Sequence, residues 1–317
     1  MKFTLLGMNQ LGFQNQPIQV IKNYGRKVAA TDLALLFGCF QDKKKAYTTD
    51  EEPACYQWTK SSPWGNWGVV VLASNGETSY STEHCDDRFG IRPLLIPEPK
   101  DSIYDEDPRS SDALLTAHIC GCELKEYGEY PQTVADKRTS KKLEELFCQN
   151  LLKTTGKNYT FDTTNHADHD RRKDFVLPQL VPHSEFVYQG KKYVRVWANP
   201  YKNYIPRLSS GEKVKPGKPY WVQVEPIQWL KDPSGIWLSQ KCLLSGLPFS
   251  DHTYPGANTF DHTYMNDYLN EKFAEDINPS NVAENEQSKL KAVLQSKTLT
   301  AIKRGLQNLF KRQSNNR

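Results

Sequence analysis

The side chains that could do chemistry in this 317-residue chain are few and scattered. Seven cysteines stand at 39, 55, 85, 120, 122, 148 and 242, an odd number with no repeated Cys-x-x-Cys spacing, so reduced thiols are expected. His118-Ile-Cys120-Gly-Cys122 would place three metal-ligating side chains on one face of a strand. Cys-x-Cys is not zinc-ribbon spacing and no fourth ligand follows, so a buried strand face is the reading taken. His166-Ala-Asp168-His169-Asp170 lies in a polar stretch that reads as a solvated loop. No metal and no cofactor are expected. The chain has no Gly-x-Ser-x-Gly elbow, no Gly-x-x-x-x-Gly-Lys phosphate loop and no His-Glu-x-x-His pair. Asp86/Asp87 and Asp105–Asp107 sit in polar runs, where solvation accounts for them. Catalysis is therefore not expected.

Charge separates the chain into two parts. Ser288–Arg317 holds eight Lys/Arg and no acid, which leaves 33 of the 41 bases against 37 acids in the body. A mildly acidic body argues against nucleic acid as its partner, because that reading needs bases clustered on a folded face. The longest apolar stretches, near Leu33–Phe40 and Val69–Ala73, fall far short of the roughly 20 residues that span a bilayer. Met1–Leu11 lacks the small-residue cleavage site of a secretory signal. A cytoplasmic or virion-associated setting is the expectation.

The elements that must carry any site follow from local pattern. Ile18–Ile21 reads as a short strand, and Thr31–Phe40 as a helix capped by Thr31 and limited by Gly38. Residues 41–57 read as loop. Val69–Val71 and Thr78–Ser81 flank Asn75-Gly76 as a hairpin. Residues 97–112, with six acids and three prolines, read as a linker. A strand is expected through Leu114–Leu124, then a helix over Ser140–Lys153 stopped by Gly156. Glu185–Trp197 reads as a hairpin turning at Gln189-Gly190, and Tyr220–Glu225 as a strand with one apolar face. Asp232-Pro-Ser-Gly235 turns the chain back into Ile236–Leu244. Asp261–Ile277 reads as a helix with Met265, Tyr268, Leu269 and Phe273 on one side, and about Glu284–Lys311 as a second, amphipathic one.

Several of these segments carry a resemblance. Tyr127-Gly-Glu-Tyr-Pro-Gln132, Tyr220-Trp-Val-Gln-Val-Glu-Pro-Ile-Gln-Trp229, Trp237-Leu-Ser-Gln-Lys-Cys-Leu-Leu244 and Tyr268-Leu-Asn-Glu-Lys-Phe273 are similar to the opening motifs of a family of uncharacterised bacterial and phage proteins. Its closing motifs resemble Trp58-Thr-Lys-Ser-Ser-Pro63, the Asn75-Gly76 hairpin and Gly90-Ile-Arg-Pro-Leu-Leu95. That family looks like the C-type-lectin-like fold shared with formylglycine-generating enzymes. The resemblance implies an α+β fold: a C-type-lectin-like mixed sheet core with long loops, flanking helices and a C-terminal amphipathic helix. Here the closing motifs precede the opening ones. Residues 1–97 are thus the closing half, 98–112 an acidic linker, 113–277 the opening half and 278–317 a basic amphipathic tail. One joined core is favoured over two incomplete copies, because neither half alone has strands enough to cover its edges. In that case Gly90–Ile96 and Tyr220–Glu225 must share a sheet.

The resemblance places recognition on the loops between Trp58 and Arg88. Trp58, Trp64, Asn66, Trp67, Tyr80, His84, Asp86 and Arg88 would supply aromatic and Arg anchors with adaptable hydrogen bonds. The competing reading puts Trp58 and Trp67 in the core. No Glu-Pro-Asn or Trp-Asn-Asp calcium-sugar signature is present, and Glu225-Pro226 falls in an apparent core strand. Cys55/Cys85 and Cys120/Cys122 do not match the active-site pair of a formylglycine-type oxidase. The expected function is non-catalytic recognition of a protein or glycan ligand. The alternatives are an enzyme on a formylglycine-generating-enzyme-like scaffold, or a structural component. For the tail, docking on its own domain is weighed against lying on an anionic membrane surface, binding nucleic acid or docking on a partner protein.

Overall fold

The computed structural model describes residues 1–12, 17–24, 26–46, 52–61, 69–81, 89–96, 122–162, 179–200, 204–249 and 260–278. Side chains 23, 24, 43–45, 80, 81 and 162 are outside that description. The architecture is α+β, mostly strands in antiparallel sheets with few helices. Met1–Ile277 forms one compact unit. The linker at 97–112, the His118/Cys120 pair, the His166–Asp170 patch and the helix expected near Glu284–Lys311 lie outside the described residues.

In chain order the elements begin with β1 (Lys2–Thr4), α1 (Met8–Leu11), α2 (Gln19–Tyr24) and α3 (Asp32–Leu36). Then come β2 (Gln41–Lys45), β3 (Pro53–Cys55), β4 (Gln57–Trp58), β5 (Val69–Leu72), β6 (Thr78–Ser81) and β7 (Leu94–Ile96). The second half runs β8 (Glu123–Val134), α4 (Lys137–Cys148), β9 (Lys153–Asp162), β10 (Leu180–Tyr188), β11 (Lys191–Trp197), β12 (Pro219–Lys231) and β13 (Trp237–Ser239). It closes with α5 (Tyr264–Tyr268), a π-helical turn at Leu269–Phe273 and α6 (Ala274–Ile277).

Eight strands make the main sheet, in the order β1-β7-β13-β12-β11-β10-β9, with β8 also paired to β12. Lys2 pairs with Ile96, Leu95 with Trp237, and Leu230 with Leu238. The strand at Leu94–Ile96 thus lies in the same sheet as Pro219–Lys231, with β13 between them. This is the arrangement a single joined core requires. Two smaller sheets, β2-β3 and β4-β5-β6, complete the strand set of the described residues.

Strand β12 organises both sides of the sheet. Val222 and Val224 face the main core together with Val194, Val196, Tyr130, Met265 and Phe273. Trp221 and Tyr193 face the other way and are buried under α4 by Leu143 and Phe147. The expected apolar face of Tyr220–Glu225 is the one turned to the main core; on its other side Trp221 is covered by α4, while Gln223 and Glu225 stay partly exposed. Asp136 caps α4 by accepting from the backbone N–H groups of Arg138 and Thr139, both at 2.9 Å.

Three local expectations fail for tertiary reasons. Of Ile18–Ile21, Gln19–Ile21 is helical, not extended, because Asp232 from a distant turn accepts the Val20 N–H at 3.0 Å and caps the start of α2. The described residues of the 41–57 stretch carry β2, β3 and the start of β4, which find partners in each other and in β5. Gly156 does not stop α4; the helix ends at Cys148, Asn150 takes φ 56°, and Gly156 lies inside β9. The Thr31 cap and the Asn75-Gly76, Gln189-Gly190 and Asp232–Gly235 turns form where expected.

Two motif glycines sit where a side chain has no room. Opposite Ile227, β8 bulges to carry both Tyr127 and Gly128; Gly128 has φ 70°, and a Cβ there would lie 2.9 Å from the Ile277 carbonyl oxygen at the end of α6. A Cβ on Gly90 would meet Cys242 Sγ at 2.8 Å and Cys39 Sγ at 3.0 Å. Gly90→Ala is expected to cost about 1–3 kcal/mol by overpacking, read as a lower urea midpoint with an unchanged slope. No loss would mean that the sulfurs can retreat.

A candidate ligand cleft where the sheet forks

Strand β8 covers one edge of β12 from Val222 to Lys231. On the opposite edge β11 pairs only as far as Gln223, and β13 joins only at Trp229. Val224–Gln228 therefore has no strand partner on that side among the described residues. Residues around this gap, with the start of α3 and the Gln240–Leu243 segment, line a cleft of about 420 Å³.

The charged side chains in the cleft are each held by a neighbour. At the first turn of α3, Asp32 is 3% exposed. Its Oδ1 accepts the Ser209 N–H at 2.7 Å, and its Oδ2 accepts the Val134 N–H and the Ser209 hydroxyl, both at 2.9 Å. Burial pushes its carboxyl above the usual range, against the pull of these hydrogen bonds and of the Lys241 charge. Asp32 thus pins α3 to the end of β8 and to the Ser209 turn. Across the cleft Lys241 Nζ bridges Glu52, at 2.8 Å to Oε1 and 2.7 Å to Oε2.

The fork supplies the remaining groups. Glu225 Oε2 accepts the Thr133 hydroxyl at 2.6 Å, and its Oε1 accepts the Gln223 amide at 3.2 Å. Gln132 is the extra residue of a second bulge in β8 and donates to the carbonyls of Glu225 and Pro226, at 3.0 and 2.9 Å. Gln228 donates to Glu126. The lining has no aromatic ring, and its three carboxylates outnumber its one ammonium. Such a surface repels anions and offers little to an apolar ligand. It presents planar amides and carboxylates in fixed orientations, with donor and acceptor capacity left over.

Of the eight residues expected to bind ligand, Trp58 is the one whose side chain is described, and it does not line this cleft. Trp58 belongs to the main core at 1% exposure, its ring 4.8 Å from that of Phe89 and 5.5 Å from that of Phe249. This corrects its place on a loop face, since no ligand reaches a ring enclosed on both sides. Tyr80 pairs with Val70 in the β5-β6 hairpin, and its side chain is outside the description. Trp64, Asn66, Trp67, His84, Asp86 and Arg88 lie outside the described residues. The cleft residues went unnoticed because they are dispersed from Asp32 to Lys241. The one local signal was Gln223 and Glu225 alternating on the polar side of a strand.

Among the described residues no group of three His, Cys, Asp or Glu side chains is arranged to hold a metal ion, and no helix is long and apolar enough to cross a membrane. No protein-family model, curated protein or solved structure matches the chain.

Proposed function

We propose that this protein is a non-catalytic recognition protein built on a C-type-lectin-like core, and that its cleft binds a neutral glycan. The observation that carries the reading is the state of the cleft carboxylates. Asp32 is spent on Ser209 and Val134, Glu52 on Lys241, and Glu225 on Thr133 and Gln223. None is left as an isolated acid or base of the kind general acid–base chemistry needs. Groups already fixed by one partner lose little further freedom when they hydrogen-bond to sugar hydroxyls, and this favours binding. Support for the scaffold comes from the motif-bearing strands β7, β8, β12 and β13, which meet in one sheet with α5–α6 packed on it.

A glycan array probed with the full-length chain, followed by calorimetry on retained sugars, tests this. Glu225→Ala combined with Gln228→Ala is expected to weaken binding by roughly 10–100-fold, since hydrogen bonds to charged groups contribute about 1.5–3 kcal/mol. Binding of a neutral sugar is expected to change little between low and high salt. Unaltered affinity in the double variant, or retention only of anionic glycans with strong salt dependence, would overturn the reading.

A further inference from the structure

Three thiols meet inside the body. Cys39, Cys55 and Cys242 are each 0% exposed and unbridged, and they arrive from three segments: the turn after α3, the end of β3 and the stretch after β13. The backbone fixes two of them against one strand-like segment, with Cys55 N–H donating to Val28 O at 2.8 Å and Cys242 N–H donating to Ala29 O at 2.9 Å. Cys55 Sγ lies 3.5 Å from Cys242 Sγ, in direct contact. Cys39 Sγ contacts the Tyr56 carbonyl at 4.0 Å and also hydrogen-bonds with the Cys55 thiol.

A cation completes the cluster. Arg92, from the Gly-Ile-Arg-Pro motif, is 1% exposed; its Nε donates to Ser239 O at 2.8 Å, while Nη1 and Nη2 have no hydrogen-bond partner. Guanidinium stays charged even when buried; burial pushes the Cys55 and Cys242 thiols well above their usual range, and the Arg92 charge opposes that rise at both. The thiolate is the form that attacks a disulfide.

We propose that Cys55 and Cys242 close to an intramolecular disulfide when the chain folds in the presence of a disulfide oxidant. The Cys55 thiolate attacks the oxidant and expels one thiolate, leaving a mixed disulfide on Cys55. The Cys242 thiolate then attacks the Cys55 sulfur and expels the second. Two protein thiols lose two protons and two electrons, and one oxidant disulfide becomes two thiols. The step belongs to folding rather than to the finished molecule, because in the folded state both sulfurs are enclosed and no oxidant reaches them. The bond, once buried, is shielded from reductant in the same way. It joins positions 187 apart in sequence and so restrains a large loop of the unfolded chain.

The test uses the full chain. Reduced protein is refolded from denaturant in a mixture of reduced and oxidised glutathione, free thiols are alkylated, and the peptides are mapped by mass spectrometry. The expected result is a Cys55–Cys242 cross-link, a melting temperature raised by roughly 5–10 °C, and the same pair from Cys39→Ser. Native reduced protein held in the same buffer is expected to stay largely unbridged. A cross-link through Cys39, scrambled pairing, or free thiols at both positions after refolding would each overturn the proposal. None of these readouts depends on the cleft or its ligand.

Discussion

Trp58→Ala is expected to lower the free energy of unfolding by about 4 kcal/mol, the range for truncating a large aromatic in a core. The ring fills space between Phe89 and Phe249, so truncation leaves a cavity lined by side chains that cannot collapse far. Its indole N–H adds a second, separable effect, because Trp58 Nε1 is buried without a hydrogen-bond partner. A buried unpaired donor weakens the folded state. Trp58→Phe keeps an aromatic ring and removes that donor, so its cost is expected to stay below about 1.5 kcal/mol. Equilibrium urea unfolding of the two variants beside the parent separates packing from polarity. If Trp58→Ala left stability unchanged, Trp58 would not be the core residue that this packing implies.

Asp276 gives the second large expected effect, and its direction is unusual for a carboxylate. It sits on α6 at 5% exposure and accepts the Thr160 N–H at 2.8 Å. Burial is the largest cause of its shift and pushes the carboxyl up to about 7, with the Thr160 hydrogen bond, Lys157 and Lys272 opposing and Glu275 adding. In the unfolded chain the same group loses its proton near its ordinary value of 3.8. Between these two values the folded state binds more protons than the unfolded state, so stability falls as pH rises from about 4 to about 7 and levels off above. A shift of this size corresponds to on the order of 4 kcal/mol.

Asp276→Asn keeps an oxygen to accept from Thr160 and cannot ionise. The variant is expected to match the parent near pH 4 and to exceed it by a few kcal/mol at pH 8. Urea unfolding of both proteins across that range gives a difference curve in which other titrating groups cancel. Parallel curves would show that Asp276 does not carry this dependence. Since α6 ends against Gly128 and Thr160, the same titration governs how firmly the closing helix holds to β8 and β9.

What was legible in the sequence was local. Thr31 caps α3 because its hydroxyl and the Ala34 N–H lie three residues apart, at 3.3 Å. The Asn75-Gly76 and Gln189-Gly190 turns form because Gly76, Gln189 and Gly190 reach left-handed backbone angles. The closing helix follows from the spacing of Met265, Tyr268, Leu269 and Phe273, all buried. The motif segments also anticipated that β7 and β12 share a sheet, although β13 stands between them. In each case the residues that interact are close in sequence, or the pattern of a whole strand reveals its neighbours.

Tertiary structure decided the rest. Val20-Ile21 reads as a strand until Asp232, more than two hundred residues later, caps it as a helix. Trp58 reads as a loop aromatic until Phe89 and Phe249 enclose it. The cleft exists only because β11 leaves β12 at Gln223 before β13 joins at Trp229. That register brings together Asp32, Glu52, Gln132, Glu225 and Lys241, which share no motif and no spacing. The thiol pair depends likewise on Val28–Ala30 holding β3 and the Cys242 segment in place. A sequence encodes the periodicity and the caps of its elements directly, because these act over a few residues. Which distant polar groups converge depends on strand register, and register is set by the sum of many long-range contacts that no single segment contains.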